Sequence, residues 1–170
     1  AGVTGFISKP LFRSTLFYGL KPYLLTDTED VSETASVVKE DFTGKKILLA
    51  EENDLNWEIA NELLSELGLK LDWAENGQIC LDKFRESEEG YYDAILMDLR
   101  MPVMSGLETT REIRALDRPD AQTIPIIAMT ADAFAEDIRN CLDCGMNAHV
   151  AKPIDIDELI RLLKKHMVRM

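Results

Sequence analysis

From residue 46 onward the chain alternates between short apolar runs and stretches in which apolar residues recur every three or four positions. Lys46 to Ala50 is a compact β-rich run, and after it Leu55, Ile59, Leu63, Leu64 and Leu67 fall at helical spacing until Gly68. Glycine stops such a pattern because it enters the left-handed conformation at a helix end without a Cβ penalty. The alternation then predicts a strand over 69–74, a helix over 78–87, a strand over 93–98 and a helix over 105–117. A strand over 124–130, a helix over 132–144 capped by Asp132, a strand over 148–151 and a helix over 155–168 complete it. The third strand, ending at Asp98, is apolar almost without a break, as a strand covered on both faces must be. Five successive βα units predict an α/β domain on a doubly wound, five-stranded parallel sheet.

The first 43 residues follow another pattern. Residues 1–25 carry Lys9, Arg13 and Lys21 and no acid, whereas residues 26–43 carry Asp27, Glu29, Asp30, Glu33, Glu40 and Asp41 against Lys39. The second stretch lacks sustained periodicity and reads as an acidic linker, with Val37, Val38 and Phe42 available to anchor its end. The first stretch repeats the end of the chain. Residues 2–21 laid on 145–164 match Gly2, Lys9, Pro10, Leu16, Leu20 and Lys21 to Gly145, Lys152, Pro153, Leu159, Leu163 and Lys164. Residues 1–25 therefore read as the last strand and helix of a preceding domain of the same kind, with the domain itself over 44–170. Val3, Phe6, Ile7, Leu11, Leu16, Phe17 and Leu20 are too much apolar area for a lone segment to leave in water, so packing on the domain or dimerisation through residues 1–25 is expected. The opening Ala-Gly-Val-Thr-Gly has no initiator Met, basic leader or apolar signal core, which points to a piece of a longer parent.

Composition narrows the function classes. Of 170 residues, 46% are apolar and 29% charged, and the longest apolar runs are far too short to cross a bilayer. A net charge of −12 repels phosphate backbones and anionic lipid, which argues against nucleic-acid binding and direct membrane contact. Cys80, Cys141 and Cys144 are an odd set with no second Cys or His pair to complete a zinc site, and they fit a reducing, cytoplasmic setting. The glycines form neither a dinucleotide fingerprint nor a P-loop, so a nucleotide is not supported.

In doubly wound sheets the ligand site lies beyond the carboxyl ends of the strands. The first strand runs out into Glu51 and Glu52, the third ends in Asp98, the fourth in Thr130, and the fifth in Lys152 before Pro153. Clustered carboxylates repel one another unless a cation lies among them, and an all-oxygen set open to water suits Mg²⁺. Lys and Thr beside such a set make a cradle for a tetrahedral anion, for which phosphoryl is the obvious candidate.

Four segments then resemble a known family. Ile-Leu-Leu-Ala-Glu-Glu-Asn at 47–53, Ile-Leu-Met-Asp-Leu-Arg-Met-Pro-Val-Met-Ser-Gly at 95–106, Pro-Ile-Ile-Ala-Met-Thr-Ala at 125–131 and Cys-Gly-Met-Asn-Ala-His-Val-Ala-Lys-Pro at 144–153 are similar to the receiver domain of bacterial two-component response regulators. The likeness covers about 44–168 and implies a flavodoxin-like sheet in the order 2-1-3-4-5. It implies Asp98 as phosphoacceptor for a kinase phosphohistidine, with expected autophosphatase activity. It implies Mg²⁺ held by Glu51, Glu52, Asp98 and the backbone carbonyl of Arg100, and phosphoryl oxygens bound by Thr130 and Lys152. It also implies a switch through Thr130 and the residue at 149, remodelling the face of the fourth helix, fifth strand and fifth helix, and a cis bond at Lys152-Pro153. The expected partners are a histidine kinase or phosphotransfer domain and a downstream protein or neighbouring kinase domain. Together with residues 1–25, the resemblance points to a hybrid sensor kinase with tandem receivers, its parent chain anchored in a membrane or not.

Departures from the family pattern bear on function. Glu52 stands where Asp is usual and adds roughly 1.5 Å of reach. His149 replaces an aromatic residue, which admits pH-dependent switching or a ring with no special role. Ser105 replaces an Asp and caps equally well. Arg100 and Asp132 flank the site and are placed to pair across it, or to lie solvated. Trp57 reads as an anchor for the linker, and neither His149 nor His166 has the setting of a phosphorelay histidine. The alternative function is a pseudo-receiver, a protein-interaction module in which Glu52 has spoiled metal binding.

Overall fold

The computed structural model of the chain describes residues 41–131 and 134–167. The expectations for residues 1–25 and for the linker up to residue 40 lie outside that range. The elements are β1 (Lys46–Ala50), α1 (Asp54–Ser65), β2 (Lys70–Ala74), α2 (Gly77–Glu86), β3 (Ala94–Asp98), α3 (Gly106–Arg114), α4 (Pro119–Thr123), β4 (Ile126–Thr130), α5 (Ala135–Asp143), β5 (Ala148–Ala151) and α6 (Ile156–Met167). The strands form one sheet in the order β2-β1-β3-β4-β5, and every pair is parallel. This is the flavodoxin-like, doubly wound order that the resemblance implied.

Alternation along the strands splits the core in two. Leu48, Ile95, Met97, Ile126 and Ala128 face α2, α3 and α5, which contribute Cys80, Phe84, Ile113 and Cys141. Ile47, Leu49, Leu96, Ile127, Met129 and Val150 face α1 and α6, which contribute Ala60, Leu64, Leu159 and Leu163. Every residue of β3 and β4 is buried, as central parallel strands require. Phe42 joins the second layer, with its amide donating to the Leu67 carbonyl at 3.0 Å, so the incoming chain is pinned two residues before the expected boundary at Gly44.

Helix starts follow local capping chemistry. Asn53 caps α1 by accepting from the Asn56 amide, Asn76 caps α2 by accepting from Ile79, and Ser105 forms a reciprocal box with Glu108 at α3. The Ser at 105 thus does what the usual Asp would. α5 differs from expectation. It begins at Ala135 with Phe134 at its N-cap and no capping side chain, and Asp132 lies outside the described residues. The predicted 105–117 helix also ends early, at Arg114, whose guanidinium donates to the Gly145 and Ala121 carbonyls and the Asn147 side-chain oxygen at 2.7–3.0 Å. Pro119 then opens the short α4, which the periodicity did not reveal; its fixed φ suits a first helical turn.

Candidate functional site

The strand ends deliver their polar residues to one cleft. Glu51, Glu52, Asn53, Asn56, Asp98, Arg100, Thr130, Asp137 and Lys152 line a volume of about 380 Å³ at the carboxyl edge of β1, β3, β4 and β5. Of the residues singled out in the sequence, Glu51, Asp98 and Thr130 are buried, Lys152 is half-buried, and Glu52 is exposed at the cleft edge. His149 is half-buried on β5 opposite Ala128 of β4, two register positions before the Thr130–Ala151 pair.

Buried charges cost several kcal/mol each unless they are paired, so these groups must neutralise one another. Lys152 does this. Its Nζ lies 2.7 Å from Glu51 Oε2 and 3.1 Å from Asp98 Oδ2. The other Glu51 oxygen accepts from the Asn53 amide at 3.1 Å, and the other Asp98 oxygen from the Arg100 amide at 3.3 Å. The position of the ammonium is fixed from the backbone side as well. The Lys152 amide donates to the Thr130 carbonyl at 2.7 Å, and the Lys152-Pro153 bond is cis, as expected.

Burial pushes the Asp98 carboxyl above the ordinary 3.8, and Glu51 adds to the rise, while Lys152 and the Arg100 amide only partly offset it. Burial works against the Lys152 ammonium too, but its bonds to Glu51 and attraction to Asp98 outweigh that and raise its pKa. Lys152 therefore stays charged across the neutral range, facing two carboxylates whose oxygens are all partnered.

Gly106 brings α3 hard against this site. A Cβ there would collide with the Asp98 carbonyl oxygen, so only glycine allows the helix to start beneath the β3 terminus. Val103, in the loop between them, adopts a φ of 69° and is exposed. Beside the cleft, between α1 and α6, runs an apolar pocket of about 250 Å³ lined by Leu49, Ile59, Leu63, Ile154 and Ile156 and closed at one end by Glu51 and Lys152.

Sequence reasoning missed two features of the site. Trp57 stacks on Trp73 with ring centroids 5.6 Å apart and planes within 2°; the linker it was expected to anchor lies outside the described residues. The Trp73 indole in turn donates to the Glu51 carbonyl at 2.7 Å. Only the pairing register of β1 and β2 brings these groups together, and the sequence shows no signal for that. The proposed Arg100–Asp132 pair involves a residue outside the described range.

As a metal site the donor set fits Mg²⁺ in kind. It offers carboxylates and a main-chain carbonyl, with room for the waters that Mg²⁺ retains. Among the described residues no three acids are gathered into a finished cage, so Glu52 would have to turn inward to complete one.

The fold and cleft together are those of a flavodoxin-like α/β domain with acids and a lysine gathered at the carboxyl edge of its sheet. Residues 47–164 match the response regulator receiver domain family, and the chain belongs to it. It is 35% identical over 162 residues to histidine protein kinase 1 of Candida albicans, covering 92% of this chain and 6% of that protein. It is 40% identical over 113 residues to hybrid signal transduction histidine kinase I of Dictyostelium discoideum, covering 65% of this chain and 6% of that protein. Among solved structures, the receiver domain of a Pseudomonas aeruginosa sensor histidine kinase, with magnesium coordinated in its active-site cleft, is 38% identical at a TM-score of 0.67, over 75% of this chain and 100% of that one. A Saccharomyces cerevisiae receiver domain crystallised with its histidine phosphotransfer protein is 26% identical at 0.63, over 72% of this chain and 88% of that one. The fungal and amoebal relatives correct the bacterial reading: this family membership spans bacteria and eukaryotes. Among the described residues no helix is long and apolar enough to cross a membrane.

Proposed function

We propose that the chain is the phosphoacceptor receiver of a hybrid histidine kinase, taking a phosphoryl group from a phosphohistidine onto Asp98. The observation that carries this is the buried Asp98 carboxylate held 3.1 Å from the Lys152 ammonium at the end of β3. In the transfer the P–N bond of the donor breaks and an O–P bond forms at an Asp98 carboxylate oxygen, while the imidazole leaves and takes up a proton. Lys152 and Thr130 line the cleft where the transferred oxygens would come to rest, so charge and hydrogen bonding are in place beforehand. Glu51, Glu52, Asp98 and the Arg100 carbonyl are the residues that would hold Mg²⁺. When bound, that ion supplies further neutralisation of the phosphoryl charge.

Movement of Thr130 toward a phosphorylated Asp98 would free space beside His149, two register positions back along the β4–β5 edge, and pass the change to α5, β5 and α6. The apolar pocket between α1 and α6, abutting Lys152, gives a phosphotransfer helix a surface next to the acceptor. A second reading, the pseudo-receiver, draws on one observation: Glu52 is exposed and no finished metal cage exists among the described residues.

Intact mass after incubation with phosphoramidate, with and without Mg²⁺ and with Asp98→Asn alongside, separates the two. A Mg²⁺-dependent gain of one phosphoryl group, absent in the variant, supports the phosphoacceptor. No gain in folded protein supports the pseudo-receiver, and recovery in Glu52→Asp assigns the defect to the longer side chain.

A further inference from the structure

We propose that Trp73 is a positioning residue for the acidic pair, orienting Glu52 toward a cation through its hydrogen bond to the Glu51 carbonyl. The proposal rests on the reading of Glu51 and Glu52 as metal-holding residues, and adds to it a group on the edge strand that the cleft itself does not contain.

Glu51 is held at every polar atom. Its amide donates to the Ala74 carbonyl at 3.0 Å, its carbonyl accepts from Trp73 Nε1 at 2.7 Å, and its carboxylate accepts from the Asn53 amide at 3.1 Å and Lys152 Nζ at 2.7 Å. Three of these partners belong to main chain or to the cleft. The indole is the exception, a side chain from the neighbouring strand, and it acts where β1 has run past its last register pair, Ala50 with Ala74.

The consequence falls on the next residue. A peptide unit is planar, so fixing the Glu51 carbonyl also fixes the amide of Glu52 and the direction in which the chain leaves β1. Glu52 is exposed, and its carboxylate has one more rotatable bond than an aspartate would. A longer side chain loses more rotamer freedom on binding a cation, so its backbone origin has to be well defined for the site to form. Trp73 supplies that definition. The indole is itself held against Trp57 in the first turn of α1, with planes within 2°, which restricts it to the rotamer that meets the carbonyl.

Mg²⁺ titration by calorimetry on wild type, Trp73→Phe and Trp57→Phe tests this, with a thermal melt on each. Phenylalanine keeps a smaller ring for the stack and removes the donor, and Trp57→Phe, which trims the same stack and leaves the donor, controls for the lost ring area. The expected result is a Kd weaker by roughly threefold to tenfold in Trp73→Phe, the size of one net hydrogen bond, against a change under about twofold in Trp57→Phe. Equal Kd values for wild type and a folded Trp73→Phe, with wild type still phosphorylated at Asp98, overturn the Trp73 proposal alone. A wild type that binds no Mg²⁺ overturns both it and the metal-holding reading. Should Trp73→Phe not fold, the indole N–H resonances of wild type decide: the Trp73 signal should move with Mg²⁺ along the calorimetric isotherm, and a static signal refutes the proposal.

Discussion

Lys152 and Glu51, separated by 101 positions in sequence, are joined by a 2.7 Å ion pair at the floor of the cleft. The same ammonium reaches Asp98 at 3.1 Å, so one cation balances two buried acids and net negative charge remains. That imbalance is what a site for a divalent cation needs before the cation arrives, and it makes the cleft costly to the fold.

Replacing the ammonium exposes that cost. Lys152→Met keeps the aliphatic stem but leaves Glu51 and Asp98, which are 3% and 7% exposed, without a counter-charge. Breaking a buried pair from one side typically costs about 3 kcal/mol. Urea unfolding at pH 7 should show a loss of that size, and a loss under about 1 kcal/mol would mean that Lys152 is not the principal counter-ion.

Asp98 should behave oppositely. Its folded-state pKa lies above 3.8 because burial disfavours the carboxylate, so the native state binds more protons than the unfolded state between 3.8 and the raised value. Stability therefore falls as pH rises through that window and stays reduced above it. Asp98→Asn should gain about 1 kcal/mol at pH 7, in the range for an incompletely compensated buried group. The gain should shrink as pH approaches 4. A variant less stable than wild type at pH 7 contradicts this account.

The residues behind these two predictions were legible in the sequence because a strand end is simply where an apolar run stops. Ala50, Met97 and Met129 close their runs, so Glu51, Asp98 and Thr130 had to lie at one edge of a parallel sheet. What escaped the pattern depends on distances across the fold. The Trp73 bond to Glu51 needs the β1–β2 register, and Leu55, at helical spacing, is 39% exposed because periodicity locates a face without giving its width. The Phe134 cap and the short α4 escaped because neither helix start carries a capping side chain, and α4 is only five residues long.

Arg118 holds the far end of the sheet by a different device. Its guanidinium lies over the Phe84 ring at 4.5 Å and donates to the carbonyls of Phe84, Ser87 and Glu88 at 2.7–3.1 Å and to both oxygens of Asp120. Phe84 is in the last turn of α2 and Ser87 and Glu88 follow it, so the side chain ties together the helix end and the turn after it. Arg118→Ala should cost about 2 kcal/mol, and Arg118→Lys should recover less than half, since an ammonium cannot span the fork. Burial raises the Asp120 carboxyl, but the Arg118 bonds and the Gly90 amide outweigh it and hold the pKa below 3.8. That contribution is present above 3.8 and is lost as pH falls through the lowered value. Asp120→Asn should therefore lose its deficit as pH falls through the lowered value, and a deficit independent of pH would assign the effect to shape alone.

Val103 carries strain into the loop that follows Asp98. Its φ of 69° places a β-branched residue in the left-handed region, where Cβ crowds the following carbonyl at a cost of roughly 1–2 kcal/mol. The side chain is 79% exposed, so packing does not repay that cost. Asparagine tolerates the conformation because its short polar side chain can bond locally, and unlike glycine it does not widen the unfolded ensemble as far. Val103→Asn should raise the unfolding free energy by about 1 kcal/mol. Strain held near a reacting group often serves it, and the Val103 loop joins Arg100, whose amide meets Asp98, to Ser105, which caps α3. If the strain is functional, the stabilised variant should accept phosphoryl from phosphoramidate more slowly. An unchanged rate together with the gain in stability would show that the left-handed valine is tolerated without serving the chemistry.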